Sequence, residues 1–325
     1  MKKLIFIMLT FLFVSGCKNK ELDYEDNCGP NPREIKVVVH WDDHETQSRI
    51  MRINLFSNTD GVPHYGRDDV PKVGEKIIKL SEGASYIPFC YDYYAANIYF
   101  RYESDHNQFE AFCRPETRTV IEKYGNRASG EQTVSQPREF YVDVPDEYFS
   151  VVFPMNNTEP LVFHFYPKNI LREFTYCIKN VKGINNIKDT QGTISGMASS
   201  YLLKSKKLGN ERSTLIFDDC EVGGDNDDGY IRGRFYTFGP VEPYQNLFGI
   251  FIWSSAERVY PKEWDVSFQI TESMTDRPAK LARDGYDILI EEEDIEITEE
   301  TKPPGENGSG FEVGVDEWNE VEIYL

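Results

Sequence analysis

Apolar positions recur along this chain in short alternating runs rather than at helical spacing. Glu34 to Trp41 (EIKVVVHW) is apolar and β-branched, and Ile50 to Phe56 (IMRINLF) alternates, with Ile53 and Leu55 on one face and Asn54 on the other. Asp42 to Ser48 between them is polar, and Asn58-Thr59-Asp60-Gly61 carries turn chemistry. Tyr86 to Tyr102 (YIPFCYDYYAANIYFRY) is the most aromatic stretch and holds one long strand or two, with Pro88 at an edge or bulge. Glu116 to Gln136 is polar and reads as an excursion loop; Phe140 to Val144 alternates again.

The pattern restarts at Leu161 to Tyr166 and Ile170 to Val181, after the turn-rich Met155 to Pro160. Further strands are expected at Gly192 to Met197, Ser213 to Phe217, Tyr230 to Phe238, Phe248 to Trp253, Trp264 to Thr271, Tyr286 to Ile290, Ile295 to Thr298 and Glu320 to Leu325. No long segment sustains a 3.6-residue period. Short strands separated by Gly, Pro, Asn and Asp predict an all-β chain of β-sandwiches. Two sandwiches follow from the spacing, at residues 34–160 and 161–325, behind a polar tether at 17–33.

Residues 1–16 differ in kind. Lys2 and Lys3 precede an apolar run from Leu4 to Val14, too short for a membrane-spanning helix and of the length of a secretory signal. Val14-Ser15-Gly16-Cys17 resembles a bacterial lipobox at all four positions. That resemblance implies a mature chain starting at Cys17 with lipid on it, held stably by several acyl chains. The alternative is a plain secretory signal with an incidental cysteine.

Composition narrows the field. Aromatic residues make up 14% of the 325, with 21 Phe and 20 Tyr, enough to fill a core and to favour strands. The formal charge of −20 repels phosphate backbones, so nucleic acid is a poor partner, and an anionic membrane is met through lipid rather than through a basic face. Cys28, Cys90, Cys113, Cys177 and Cys220 remain beside Cys17. None forms a Cys-x-x-Cys pair, and sequence proximity makes Cys90 with Cys113 the expected disulfide.

Catalytic signatures are weak. Gly192-Thr193-Ile194-Ser195-Gly196 has the wrong spacing for a nucleophile elbow, and no phosphate-binding glycine loop occurs. Five histidines are scattered at 40, 44, 64, 106 and 164; His40 closes a strand and His44 follows a turn, so surface histidines are expected rather than a metal site. Asp225 to Gly229 fails the calcium-loop pattern, with Gly229 fifth and Tyr236 twelfth, and reads as a solvated turn, though such a carboxylate loop could bind calcium weakly. Glu291 to Glu300 holds seven acids in ten residues; an exposed strand edge explains it better than a glycosidase carboxylate pair. The aromatics from Tyr91 to Tyr102 are read as core, with a sugar-stacking platform as the alternative. No cofactor is implied, and the chain is expected not to be an enzyme.

Three segments carry a family resemblance. They are the lipobox leader with its acidic tether and Val37-Val38-Val39-His40-Trp41; Tyr176 to Ser200, ending Thr193-Ile194-Ser195-Gly196-Met197-Ala198-Ser199; and Gly310 to Ile323. Ile252-Trp253 and Tyr260-Pro261 to Trp264 fit the same group. Together they resemble fimbrillin-superfamily lipoproteins of the Bacteroidales, near the fimbrillin-A-associated anchor proteins. The resemblance implies two tandem Greek-key, transthyretin-like β-sandwiches. It also implies a fimbrial anchor or accessory subunit in cell adhesion, lipid-anchored in the outer membrane and facing the cell surface, whose partners are fimbrial or other surface-protein subunits. Members assemble by strand exchange, a form of β-augmentation. The candidate partner strand here is Phe311 to Leu325, with Phe311, Val313, Val315, Val321, Ile323 and Leu325 as its apolar positions; the alternative is an ordinary last strand of its own sheet. Shaft subunits lose an N-terminal strand to cleavage after Arg or Lys, and Arg33 is the one clear site before the first strand, which favours the anchor role. A surface glycan-binding lipoprotein, with exposed aromatics such as Trp253 and Tyr94, is the rival expectation.

Overall fold

The computed structural model describes residues 32–40, 50–62, 64–71, 74–116, 131–152, 161–256, 258–275, 283–291 and 295–298. Cys17, the tether to residue 31 and the whole of Phe311 to Leu325 lie outside the described residues, as do Cys28 and His44.

The described residues form an all-β sandwich fold of five sheets. Sheet 1 has three strands in the order Leu161–Phe165, Pro32–Val39, Glu75–Ser81. Sheet 2 runs Lys168–Asn169, Tyr141–Asp143, Ser85–Asp92, Ile50–Ser57, Tyr65–Pro71, with Phe149–Ser150 also paired to Ser85–Asp92. Sheet 3 joins Lys207–Leu208, Ser200–Leu202, Glu110–Cys113 and Ile98–Arg101. Sheet 4 is Val259–Asp265, Leu247–Ser254, Ile187–Ala198, Arg212–Phe217, Gln132–Ser135. Sheet 5 is Cys220–Asp225, Asp228–Thr237, Arg172–Lys182, Ile288–Ile290, with Ile295–Glu296 also on Arg172–Lys182.

Two large cores hold these layers, beside a small cluster of Ile216 and Phe251 on sheet 4. Ile35, Val37, Met51, Ile53, Leu80, Cys90 and Phe165 fill the space between sheets 1 and 2. A larger core takes Tyr176, Ile178, Phe235 and Ile288 from sheet 5 against Ile194, Phe217, Phe248 and Ile250 from sheet 4, and continues to Phe89, Tyr91, Phe109 and Phe140. Sheet 2 is therefore apolar on both faces. That explains why the central part of Tyr86 to Tyr102 does not alternate: seven of the eight residues of Ser85–Asp92 are buried, as expected of a strand covered on both sides. It splits into two strands, Ser85–Asp92 and Ile98–Arg101.

Leu161–Phe165 pairs in parallel with Pro32–Val39. Glu110–Cys113 pairs with Ser200–Leu202 and Gln132–Ser135 with Arg212–Phe217, so strands from the first half complete sheets of the second. Gln132–Ser135 is thus a strand, with Val134 buried, where an excursion loop was expected.

Trp264 to Thr271 is not a strand. An edge strand ends at Asp265, with Pro261 within it where a missing N–H is tolerated, and a helix follows at Ser267–Thr275. Asp265 Oδ1 accepts from the Ser267 amide at 2.9 Å. Val266, Ile270 and Met274, four residues apart, turn to the core while Phe268 is exposed. The expected Cys90–Cys113 disulfide is absent, and both thiols are free and buried. Cys90 faces the first core and Cys113 the second, on opposite sides of sheet 2.

Candidate functional site

Pro32–Val39 is the middle strand of sheet 1. It pairs in parallel with Leu161–Phe165 on one edge and antiparallel with Glu75–Ser81 on the other, and it buries Ile35, Val37 and Val39. Arg33 sits inside this strand, opposite Leu80, with its guanidinium 3.1 Å from Glu82. The strand ends at His40, whose amide donates to the Phe165 carbonyl at 2.8 Å. His40 Nε2 and His164 Nδ1 meet at 2.8 Å, and Tyr166 stacks on His40 at 4.7 Å. This pairing of histidines 124 residues apart was not visible in the sequence. Among the described residues no three His, Cys, Asp or Glu side chains gather as a metal would require.

The Thr193 to Ser199 segment is a structural knot. Gly196 takes φ +75° at a bulge where Ile187–Ala198 loses register with Arg212–Phe217. A Cβ there would lie 2.5 Å from the Gln245 carbonyl and 2.7 Å from Arg212 and Asn246 side-chain nitrogens. The Gly196 amide donates to Glu131 Oε2 at 3.0 Å, and so does Thr214 Oγ1. Arg212 pairs with Glu131 and donates to the carbonyls of Pro243 and Gln245. Asn246 donates to the Ser195 carbonyl, and Ser195 Oγ accepts from the Leu247 amide. These groups line a polar cleft of about 940 Å³, but most of their hydrogen bonds are spent on one another, so the arrangement ties strands together. Ser195, on the segment with the wrong spacing for a nucleophile elbow, is committed to this role.

The aromatic stretch divides into two populations. Tyr86, Phe89 and Tyr91 are core residues, whereas Tyr94, Tyr99 and Tyr102 are 62%, 48% and 56% exposed. Tyr94 and Tyr99 line a cleft of about 540 Å³ with Asn97, Glu103 and Arg114. Trp253, the other aromatic suggested for glycans, lies on sheet 4 beside Phe251 and Val259, in a different sheet from this cleft. Asp225 to Gly229 forms the tip of a hairpin, where Asp225 pairs with Asp228 and the Asn226 carbonyl accepts from Gly183. Of the acidic run, Ile295 and Ile297 are buried and Glu291 pairs with Lys179 at 3.0 Å, along the edge of sheet 5.

Similarity to known proteins fits this architecture. No curated protein matches the sequence. Among solved structures, a candidate adhesin from Bacteroides ovatus superposes with a TM-score of 0.56 at 16% identity, over 89% of this chain and 99% of that one. A second candidate adhesin from Bacteroides ovatus gives 0.48 at 11% identity, over 80% and 88% of the two chains. The fimbrial anchor protein Mfa2 from Porphyromonas gingivalis gives 0.46 at 11% identity, over 76% and 86%. At 16% identity the likeness to the first of these is one of fold. The family described as a domain of unknown function, DUF5119, matches residues 16–218, from the residue before Cys17 through the Arg212–Phe217 strand. That span includes all of sheets 1, 2 and 3 and the Gly196 bulge, and it is more than half of the sequence: the chain belongs to the DUF5119 family.

Proposed function

We propose that this protein is a lipid-anchored, non-enzymatic component of the cell surface, serving as an anchor or accessory subunit of fimbriae or related adhesive structures through protein–protein contacts. The observation that carries the anchor reading is the placement of Pro32–Val39. A shaft subunit that assembles by strand exchange needs an open groove where its first strand was. Here that strand is central, paired on both edges, and Arg33 lies within it. Cleavage after Arg33 removes only its exposed tip and leaves Ile35, Val37 and Val39 in the core. The fold shared with a candidate adhesin and the lipobox-like Val14 to Cys17 support the same reading.

Lipidation is tested by metabolic labelling with a palmitate analogue in a Bacteroidales host, comparing the natural chain with Cys17→Ala. Surface display is tested by protease treatment of intact cells. The reading expects label, membrane retention and surface cleavage for the natural chain, with label and retention lost in Cys17→Ala. A Cys17→Ala chain that keeps both, or a natural chain shielded in intact cells, contradicts it.

A further inference from the structure

The cleft beside Tyr94 and Tyr99 has the features of a built site. Large exposed rings lose the free energy that burial would give them, so a pair of them on one cleft calls for a partner. Both rings are set by stacks that end in ion pairs. Tyr94 stands edge-on to Tyr93, centroids 5.4 Å apart at 90°. Tyr93 is itself stacked on Phe100 at 5.5 Å and 13°, and the Arg52 guanidinium lies 3.4 Å from its centroid. Arg52 is fixed by two hydrogen bonds to Asp69, at 2.8 and 3.1 Å. Tyr99 packs on Phe112 at 5.8 Å. Arg101 lies over Phe112 at 5.2 Å and pairs with the buried Glu110 at 2.5 Å.

Asn97 at φ 61° and Tyr102 at φ 56° bracket the Ile98–Arg101 strand. Polar groups complete the lining. The Asn97 amide donates to the Gln136 carbonyl at 2.8 Å, which fixes its carbonyl oxygen, while Glu103 and the exposed Arg114 stand nearby.

We propose that this cleft binds carbohydrate, taking a pyranose of a surface polysaccharide. A pyranose offers apolar C–H faces and a rim of hydroxyls. The Tyr94 and Tyr99 rings match the faces, and the planar side chains of Asn97, Glu103 and Arg114 match the hydroxyls. A cleft of about 540 Å³ is in the range of small-ligand sites. Nucleic acid is disfavoured by the chain's −20 charge. The assignment rests on the cleft and not on the anchor reading, so each stands or falls separately.

The test is a glycan array probed with the full chain, followed by calorimetry on the strongest array glycan. Tyr94→Ala, Tyr99→Ala and Arg114→Ala are compared with Tyr148→Ala, an exposed tyrosine outside the cleft. The expected result is binding to a subset of glycans, weakened about tenfold or more by each tyrosine change in the cleft, an effect of the size of one lost ring contact. Arg114→Ala weakens it too, Tyr148→Ala does not, and the melting temperatures of all four variants match the natural chain. No array glycan bound, binding that survives the cleft variants, equal loss in Tyr148→Ala, or a protein captured through Tyr94 and Tyr99 with no glycan bound each overturns the proposal.

Discussion

Arg212 and Glu131 form an ion pair, Nε to Oε1 at 3.1 Å, across 81 residues of sequence. The Glu131 side chain is 6% exposed, and this partner and the Gly196 and Thr214 donors replace the water it has lost. Removing one member of a buried pair leaves an uncompensated charge, which costs about 3 kcal/mol. Arg212→Met is expected to lose about that much in urea denaturation, and adding Glu131→Gln to it is expected to recover part of the loss. A single variant as stable as the natural chain would show that the pair does not hold sheet 4 together.

Gly196→Ala probes the bulge at the same place. The new Cβ meets the Gln245 carbonyl and two side-chain nitrogens, at a φ that L residues avoid. Strain and overpacking together are expected to cost on the order of 2–4 kcal/mol. Gly61→Ala, also at positive φ but with open space around it, is expected to cost less, and the difference between the two midpoints measures the packing contribution.

Acid stability reports on Arg101 and Glu110. Burial pushes the Glu110 carboxyl up, but the hydrogen bond from Arg101, the Ser200 hydroxyl and the Arg101 charge together outweigh it and hold the carboxyl below its ordinary value. A carboxylate lowered in the folded state stabilises above its unfolded pKa, and that contribution is lost as pH falls through the folded value. Arg101→Met is therefore expected to lower stability at pH 7 and to shrink the difference in stability between pH 7 and pH 3. An unchanged pH profile would mean the pair is energetically silent.

Cys90 and Cys113 supply a chemical check on the fold. Burial pushes the Cys113 thiol up to about 12 and raises Cys90 as well, so neither forms a reactive thiolate near neutral pH. In the native protein both are expected to resist a thiol-specific reagent, and both are expected to react once urea is added. Rapid native labelling, or a Cys90–Cys113 disulfide in non-reducing peptide mapping, would contradict the two-core arrangement.

Strands with one covered face were legible, because alternation records burial directly: Pro32–Val39 and Asp228–Thr237 lie within two residues of where the pattern puts them. Parallel pairing was not. Nothing local in Pro32–Val39 states that Leu161–Phe165, more than a hundred residues later, completes its sheet. Strands covered on both faces lose the alternating signal, as in Ser85–Asp92. The Ser267–Thr275 helix was hidden because only Ile270 within it is buried, so its apolar stripe is too short to establish a period. The cleft was half legible. The aromatic run marked the segment, but which rings face outward depends on contacts with Arg52, Phe112 and Phe100 that only the fold assembles.

The central claim is assembly with other surface proteins, and it is tested most directly by mild crosslinking on native cells followed by pull-down. The full chain is compared with one truncated before Phe311. The account predicts that fimbrial or related surface subunits are recovered with the full chain and lost with the truncated one. Equal recovery from both would assign Phe311 to Leu325 to the protein's own sheet, and recovery of no surface protein with either chain would contradict the account.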